Sequence, residues 1–177
     1  MLNIRKEDMA GMVVVAVYGL AIGALPHAFA AALVPEKPAQ VVVVDPLDEF
    51  RNATSLDGEQ LKSLLKTVGF EGKSLRVAWA VAMKESNGRP LAHNKDLSTG
   101  DNSYGLFQIN MLGQLGIDRT EKFDLVSNKD LFDPVRNAQI AYYMTDGGTD
   151  WSSWKINMNS SNGERYDSFY QEFPKGT

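Results

Sequence analysis

The sequence predicts a mainly α-helical domain with a short loop or hairpin segment, preceded by a hydrophobic N-terminal helix. Three observations predict this architecture. Apolar residues recur at helical spacing in several segments from residue 56 onward. Between residues 94 and 110, glycine, serine, aspartate and asparagine dominate, which is typical of a loop or a short hairpin. Residues 12–34 contain no aspartate, glutamate, lysine or arginine, so they form the most apolar part of the chain.

Length and composition limit the possible functions. The 177 residues suffice for one domain of ordinary size plus a tail. The formal net charge is −4 and no basic run occurs, so we expect no nucleic-acid partner. There is no cysteine, which excludes disulfides and thiolate metal sites, and His27 and His93 lie far apart in the sequence. We therefore expect neither a metal nor another cofactor.

The apolar segment within residues 1–34 has two main interpretations, beside a third as a buried core helix, which Pro26 and the following linker disfavour. As a signal peptide, it has Arg5 and Lys6 before the apolar run, Pro26 after it, and small residues that fit cleavage after Ala30. As a membrane anchor, residues 12–34 are long enough, since about 20 residues span a bilayer. Both interpretations place the rest of the chain beyond a membrane.

A proline-containing stretch follows the apolar segment. Prolines at positions 35, 38 and 46 predict an extended linker over residues 35–54. The working domain is then expected to cover residues 55–177.

Two helices are predicted at the start of this domain. Asp57 can cap the first helix with Gln60 at the third position, and a stripe of apolar residues ends at Gly69. The second helix is expected over residues 74–86. Gly88 suits its left-handed C-terminal cap.

Two further helices are predicted toward the C-terminus. Asp133-Pro134 opens the first of them, because proline favours the first helical position, and Gly147-Gly148 ends it. The last helix is indicated by aromatic residues spaced at i, i+3, i+4 and i+7, which predicts a terminal helix that closes the core. These residues are Tyr166, Phe169, Tyr170 and Phe173.

Glu85 lies at the end of the second predicted helix, on the same face as Ala78 and Ala82. That apolar face should turn inward. Partial burial and the negative end of the helix dipole would both favour the protonated carboxyl. A protonated acid is what cleavage of a glycosidic bond requires, because the leaving oxygen must receive a proton. The alternative is a solvated surface glutamate beside Lys84.

The segments around Glu85 resemble a known active-site signature. "ESNGRP" followed by "SYGLFQIN" is similar to the signature of the lysozyme-like superfamily, above all to SLT-type lytic transglycosylases and phage-tail lysozyme-like domains. "VGFEG" upstream and "LFDPVRNAQIAYYM" and "GGTDWSSW" downstream extend the resemblance over residues 56–154. It implies a lysozyme-like α+β fold. It also implies that the partners are peptidoglycan glycan strands.

The resemblance assigns Glu85 as the general acid that protonates the bond between N-acetylmuramic acid and N-acetylglucosamine. It also implies a set of substrate-binding residues. These are Ser86, Ser103, Tyr104, Gln108, Asn110, Asn137, Tyr142 and Trp151.

Several of these assignments have structural alternatives. Ser86 could bond the helix backbone instead, and Tyr104 could be core packing. At least one of Trp151 and Trp154 is expected in the core, and one of the paired tyrosines at 142 and 143 should face the interior. The alternation around Gln108 predicts an extended segment in which this side chain faces the cleft.

A second carboxylate would distinguish hydrolysis from transglycosylation. Animal-type lysozymes have an aspartate at the position that aligns with Ser103, and here the nearest acids are Asp101 and Asp96, both expected in the loop. The resemblance therefore favours a lytic transglycosylase that gives 1,6-anhydro ends. Asp101 stays a candidate second acid for a hydrolytic muramidase.

Two questions stay open at this level. A catalytically silent lysozyme-like module of a virion is the alternative to an enzyme. The setting would be a phage particle or an envelope-spanning apparatus, held at the membrane through residues 12–34. Other virion or envelope-complex proteins are then candidate partners.

Overall fold

A computed structural model describes residues 45–96, 98–155 and 164–175. The apolar segment of residues 1–34 and the expected linker up to residue 44 lie outside the described residues. In chain order the elements are α1 (Gly58–Val68), α2 (Gly72–Ser86), β1 (His93–Asp96), β2 (Asp101–Tyr104), β3 (Ile109–Asn110), α3 (Gly113–Lys122), a 3₁₀ helix (Asn128–Phe132), α4 (Pro134–Met144), a second 3₁₀ helix (Ser152–Trp154) and α5 (Glu164–Glu172). The prediction of a mainly helical domain with a small β segment is confirmed. No helix in the described ranges has both the length and the apolar character to cross a bilayer.

The compact unit begins at Pro46, earlier than the sequence predicted. Leu47 and Phe50 are each 5% exposed and belong to the hydrophobic core. Arg51 Nη1 also lies 3.4 Å from Asp133 Oδ2. The expectation of an extended linker through residue 54 is therefore wrong for residues 46–54, because their apolar side chains pack into the domain.

Helix α1 forms as the sequence predicted. Gln60 N donates to Asp57 Oδ1 (2.9 Å), and Asp57 N donates to Gln60 Oε1 (3.0 Å), which completes a capping box. Leu61, Leu64 and Leu65 are fully buried on the inner face. Gly69 ends the helix with φ of 120°.

Helix α2 crosses the core and ends differently from the prediction. Asn87, and not Gly88, is the left-handed C-cap, with φ of 54°. Gly88 follows with φ of 68°, and its carbonyl accepts from Leu56 N at 2.8 Å. A Cβ at position 88 would lie 2.3 Å from Leu56 O. Only glycine therefore fits where the chain entering α1 contacts the end of α2.

The expected hairpin region is a three-stranded antiparallel sheet in the order β1-β2-β3. His93 pairs with Tyr104, and Ser103 pairs with Asn110. Asp96 and Asp101 are paired across β1 and β2. Both acids therefore lie in strands at the hairpin end, which corrects the expectation that they sit in a loop.

Helix α3 was not predicted, because it has no apolar stripe on one face. Gly116 is its one buried residue, while Leu115 and Ile117 are 45% and 61% exposed. A Cβ on Gly116 would lie 2.1 Å from Met111 O. The glycine thus allows α3 to lie directly against the segment that follows β3.

Helix α4 begins as expected, with Pro134 in its first turn and Asp133 Oδ1 accepting from Val135 N at 2.9 Å. It ends at Met144, slightly before the predicted Gly147-Gly148.

Helix α5 closes the core against α2, as the aromatic spacing predicted. Tyr166 is 7% exposed. Arg76 Nε donates to Tyr170 O (2.9 Å), and the guanidinium lies 4.0 Å from the Tyr170 ring centroid. Trp79 and Phe173 make an edge-to-face contact at 5.8 Å.

Gly88→Ala and Gly72→Ala form a matched pair that tests the contact at the end of α2. Both glycines have positive φ, but a Cβ at position 72 meets nothing within 4 Å. We expect Gly72→Ala to lower the free energy of unfolding by roughly 1 kcal/mol. Gly88→Ala should lower it by a further 1–3 kcal/mol, roughly, because the new Cβ overlaps backbone. Urea unfolding of both variants measures this difference, and equal values would contradict the steric argument.

Candidate active site

Glu85 is half-buried in the last turn of α2, and a tyrosine from the C-terminal helix contacts it. Tyr166 Oη lies 3.1 Å from Glu85 Oε1 and 3.2 Å from Trp154 O. Ala78 and Ala82, on the same face of α2, are fully buried. The carboxyl therefore projects from the inward face of the helix and is oriented by a hydrogen bond from α5.

Two cavities adjoin at Glu85. The first, which we call the α3 cavity, has a volume of about 520 Å³. Its walls are Glu85, Thr99, Gly100, Asp101, Ser103, Gln108, Ile109, Asn110, Leu115, Arg119, Met144, Ser153, Trp154, Lys155 and Tyr166. The second, which we call the β1 cavity, has a volume of about 470 Å³. Its walls are Glu85, Arg89, Leu91, Ala92, His93, Asn94, Asp101, Ser103 and Gln108.

Four residues line both cavities: Glu85, Asp101, Ser103 and Gln108. Each volume is within the usual range of ligand sites, about 300–1,000 Å³. Because the cavities share these walls, a long ligand that occupies both would pass the Glu85 carboxyl.

Gln108 reaches the cavities from a tight turn. The segment 105–108 is a turn, and Gln108 has φ of 47°, so the expectation of an extended segment is wrong. Its Nε2 donates to Gly105 O (2.9 Å) and Ala92 O (3.1 Å). The side chain therefore supports the turn through its nitrogen, and its amide oxygen is the end not used in these bonds.

Asn137, on helix α4, binds the same turn through its side-chain amide. The residue is fully buried, and its Oδ1 accepts from Phe107 N at 2.9 Å. Its Nδ2 donates to Tyr104 O (3.0 Å) and Leu131 O (2.9 Å). A Cβ on Gly105 would lie 2.2 Å from this nitrogen. The resemblance places Asn137 in the substrate-binding set, as a residue that supports the cleft. Its full burial corrects direct binding and agrees with the supporting role.

Asp101 and Ser103 form the second polar group between the cavities. Ser103 Oγ donates to Asp101 Oδ1, and Asn94 Nδ2 donates to Asp101 Oδ2. Ser103 is 5% exposed, so its hydroxyl mainly orients the aspartate. Both oxygens of Asp101 therefore accept a hydrogen bond from the sheet.

Asn110 lines the α3 cavity, and its side chain is engaged by backbone. Its Oδ1 accepts from Leu112 N (2.9 Å), and its Nδ2 donates to Gly100 O (2.9 Å). These bonds connect β3 to the turn after β1.

Two residues expected at the substrate lie away from both cavities because of local contacts. Ser86 is 2% exposed, and its Oγ donates to Ala82 O at 2.9 Å, which is the structural alternative named above. Tyr104 stacks on His93, with ring centroids 4.2 Å apart. Neither side chain is among the walls of the α3 cavity or the β1 cavity. The burial of Ser86 corrects its assignment as a binding residue, whereas Tyr104 is half-buried and stays a predicted binding residue.

Two aromatic residues from the same prediction also pack elsewhere. Tyr142 contacts Phe70 edge-to-face at 4.9 Å. Trp151 is 1% exposed, and its Nε1 donates to Gly148 O at 2.9 Å. Trp151 is a structural residue of the core, and Tyr142 is partly buried and packs against that core. Of the two tryptophans considered, Trp154 is the one that lines the α3 cavity.

Tyr166, Arg119 and Lys155 are among the residues of the α3 cavity that the sequence did not predict. Tyr166 had been assigned to the core stripe alone. Arg119 lies on the unpredicted helix α3 and donates through Nη1 to Asn110 O, while burial lowers the pKa of its guanidinium. Lys155 is exposed, with φ of 56°, directly after Trp154. Basic residues near the "SYGLFQIN" and "GGTDWSSW" motifs would have been the signal for Arg119 and Lys155.

Among the described residues, no cluster of three histidine, aspartate or glutamate side chains that could hold a metal ion is found.

The domain is small and mainly helical, with a three-stranded sheet. A half-buried glutamate lies between two adjoining cavities. This is the arrangement of an enzyme that acts on an extended substrate. The chain belongs to the lysozyme-like domain family, whose model (described as "Lysozyme like domain") matches residues 62–156, more than half of the chain. No curated protein and no solved structure gives a match. Membership supports a peptidoglycan-acting glycosidase or transglycosylase. Tyr166 lies beyond the matched residues.

Proposed function

We propose that this chain is a peptidoglycan lytic transglycosylase that cleaves the β-1,4 bond between N-acetylmuramic acid and N-acetylglucosamine. The observation that carries the proposal is the position of Glu85, which lies between two adjoining cavities and accepts a hydrogen bond from Tyr166. Asp101 is the one other carboxylate that lines these two cavities among the described residues, and both its oxygens already accept hydrogen bonds. A reaction that needs a single carboxyl group therefore suits the site.

In the first half of the proposed reaction, Glu85 donates its proton to the glycosidic oxygen. The bond from that oxygen to C1 of the muramic acid breaks, and the N-acetylglucosamine leaves with a free hydroxyl. In the second half, the carboxylate of Glu85 takes the proton of the C6 hydroxyl, whose oxygen bonds to C1. The ring closes as a 1,6-anhydro product, Glu85 is protonated again, and no water is consumed.

The Tyr166 hydroxyl suits both protonation states of Glu85. This hydroxyl has one proton but lies within hydrogen-bond distance of the carboxyl and of Trp154 O, which can only accept. When Glu85 is ionised, the proton can point to the carboxylate. When Glu85 is protonated, the tyrosine proton can point to the carbonyl, while the phenol oxygen accepts from the acid. A rotation of one hydroxyl thus matches the change from acid to base.

A hydrolytic muramidase is the second candidate, because Asp101 lines both cavities together with Glu85. A carboxylate with two accepted bonds keeps further lone-pair sites, so Asp101 could still orient a water. Hydrolysis would leave reducing ends, in contrast to anhydro ends.

Glu85→Gln should abolish most of the activity. Glutamine keeps the shape of the side chain but has no acidic proton, and loss of a general acid costs roughly 10²–10⁴-fold in rate. We expect wild-type digests of purified sacculi to contain anhydro-ended muropeptides, which mass spectrometry distinguishes from reducing-ended ones by the mass of a water.

Glu121→Gln is the matched control, since Glu121 is exposed on α3 and lines neither cavity. It should digest sacculi like the wild type. Purely reducing-ended products would contradict the transglycosylase proposal and support a muramidase that uses Asp101. Binding to sacculi without any release would indicate a silent module.

Tyr166→Phe tests the hydroxyl while it keeps the buried ring. A hydrogen bond to a charged group contributes about 1.5–3 kcal/mol, so kcat should fall roughly tenfold or more while KM changes little. Tyr143→Phe, on an exposed residue that lines neither cavity, should have no effect. Steady-state digestion of soluble glycan measures both. An unchanged kcat for Tyr166→Phe would contradict the positioning role.

We also propose that the domain works in the cell envelope, exported or held at a membrane, in a phage particle or an envelope-spanning apparatus. The support is the sequence of residues 12–34, which is free of charged side chains, together with a family that acts on peptidoglycan. Expression of the full chain, membrane fractionation and N-terminal sequencing test this. A membrane-bound chain with its original N-terminus supports an anchor, cleavage after Ala30 supports export, and an uncleaved chain in the soluble fraction contradicts both.

A further inference from the structure

Two cations line the α3 cavity, although the chain as a whole is acidic. Arg119 and Lys155 are both on its walls, together with Trp154 and Tyr166. The formal net charge of the chain is −4. The transglycosylase reaction itself gives these cations no role, because proton transfer there involves Glu85 and the sugar.

The fold fixes the position of the Arg119 guanidinium and of the Lys155 backbone. Gly116 lets α3 lie against Met111 O, and this places Arg119 beside β3, where its Nη1 donates to Asn110 O. Lys155 follows the second 3₁₀ helix, and its backbone N donates to Ser152 O at 2.8 Å. The two cations therefore come from separate elements and meet at one cavity.

Neither cation forms an ion pair within the part of the chain that the structure describes, although Glu85 and Asp101 line the same cavity. No carboxylate there lies within ion-pair distance of Arg119 or Lys155, although Arg51 and Lys62 have such partners. Asp118, the acid next to Arg119 in sequence, accepts from Gln114 Nε2 at 2.7 Å instead. Arg119 is half-buried and keeps guanidinium N–H groups beyond the one used on Asn110. A half-buried guanidinium without an anion is a strong site for a carboxylate.

We propose that Arg119 and Lys155 bind a carboxylate of the muramic acid unit and so select peptidoglycan over uncharged N-acetylglucosamine polymers. This inference rests on the proposed function, because it names the charged substrate of the same site. The carboxylate has two possible sources. One is the lactyl group of a peptide-free muramic acid, and the other is the stem peptide that it carries.

Binding to the full chain with Glu85→Gln, which prevents turnover, tests the proposal. The probes are a peptide-bearing tetrasaccharide of alternating N-acetylglucosamine and N-acetylmuramic acid, the same tetrasaccharide without peptides, and the N-acetylglucosamine tetramer. Adding Lys155→Gln should weaken binding of a carboxylate probe roughly threefold, as for an exposed ion pair. Adding Arg119→Gln should weaken it roughly tenfold or more. Binding of the tetramer should not change.

The controls distinguish the loss of a positive charge in the α3 cavity from misfolding and from the loss of a positive charge elsewhere. Arg119→Lys keeps the charge and should recover part of the binding, and Lys155 is exposed, so its substitution leaves the core intact. Lys66→Gln, exposed on α1 and away from both cavities, should leave the selectivity unchanged. A loss confined to the peptide-bearing probe identifies the stem peptide, and a loss confined to the peptide-free probe identifies the lactyl group.

Equal weakening for all three probes, no weakening for any probe, or the same selective loss with Lys66→Gln would overturn the proposal. The transglycosylase function is judged separately, by cleavage of the same probes with Glu85 intact. Selective binding without cleavage would leave the carboxylate site standing and reject the enzyme. Cleavage without selective binding would support the enzyme and reject the carboxylate site.

Discussion

The side-chain amide of Asn137 bonds three backbone groups from two separate segments of the domain. It accepts from Phe107 N and donates to Tyr104 O and Leu131 O. A buried polar group left unsatisfied costs about 1–3 kcal/mol, so this one amide decides whether the turn at 105–108 keeps its conformation. The close approach of Gly105 to the amide nitrogen excludes any larger residue at that position. Asn137 thereby connects helix α4 to β2 and to the turn at 105–108, whose Gln108 lines both cavities.

When Glu85 is protonated, a continuous path of hydrogen bonds leads from this amide to the candidate acid. Asn137 accepts from Phe107 N, Phe107 O accepts from Trp154 Nε1 (2.9 Å), and Trp154 O lies 3.2 Å from the hydroxyl of Tyr166 that contacts Glu85. The path alternates between side chains and the backbone of the same residues. Because these residues belong to packed elements, the orientation of the carboxyl depends on the whole domain and not on α2 alone. Such support is what general acid catalysis requires, since a small displacement of the donor reduces the rate strongly.

How far the sequence predicts this arrangement depends on whether the signal is local. The capping box at Asp57 and the placement of Glu85 on an inward helical face follow from residues within one or two turns, and both agree with the structure. Helix α3 escaped prediction because it buries a glycine and exposes its apolar side chains. Gln108 was assigned to an extended segment, since three alternating residues cannot reveal a positive φ that tertiary contacts impose. Tyr166 was recognised as a core aromatic, but its hydroxyl contacts a residue 81 positions earlier, which no local pattern contains.

The choice between the two proposed chemistries depends on which hydroxyl group reaches C1 while Glu85 is ionised. Asp101 is oriented by Ser103 and Asn94 and could hold a water only where the ligand leaves room for one. Because both cavities meet at Glu85, a glycan that fills them places sugar on each side of the carboxyl and displaces water from it. The C6 hydroxyl is then part of the bound ring, and well-oriented intramolecular groups act at effective concentrations of about 10⁵–10⁸ M. Such values exceed the concentration of any water that could enter, which supports the proposed closure of the anhydro ring over hydrolysis.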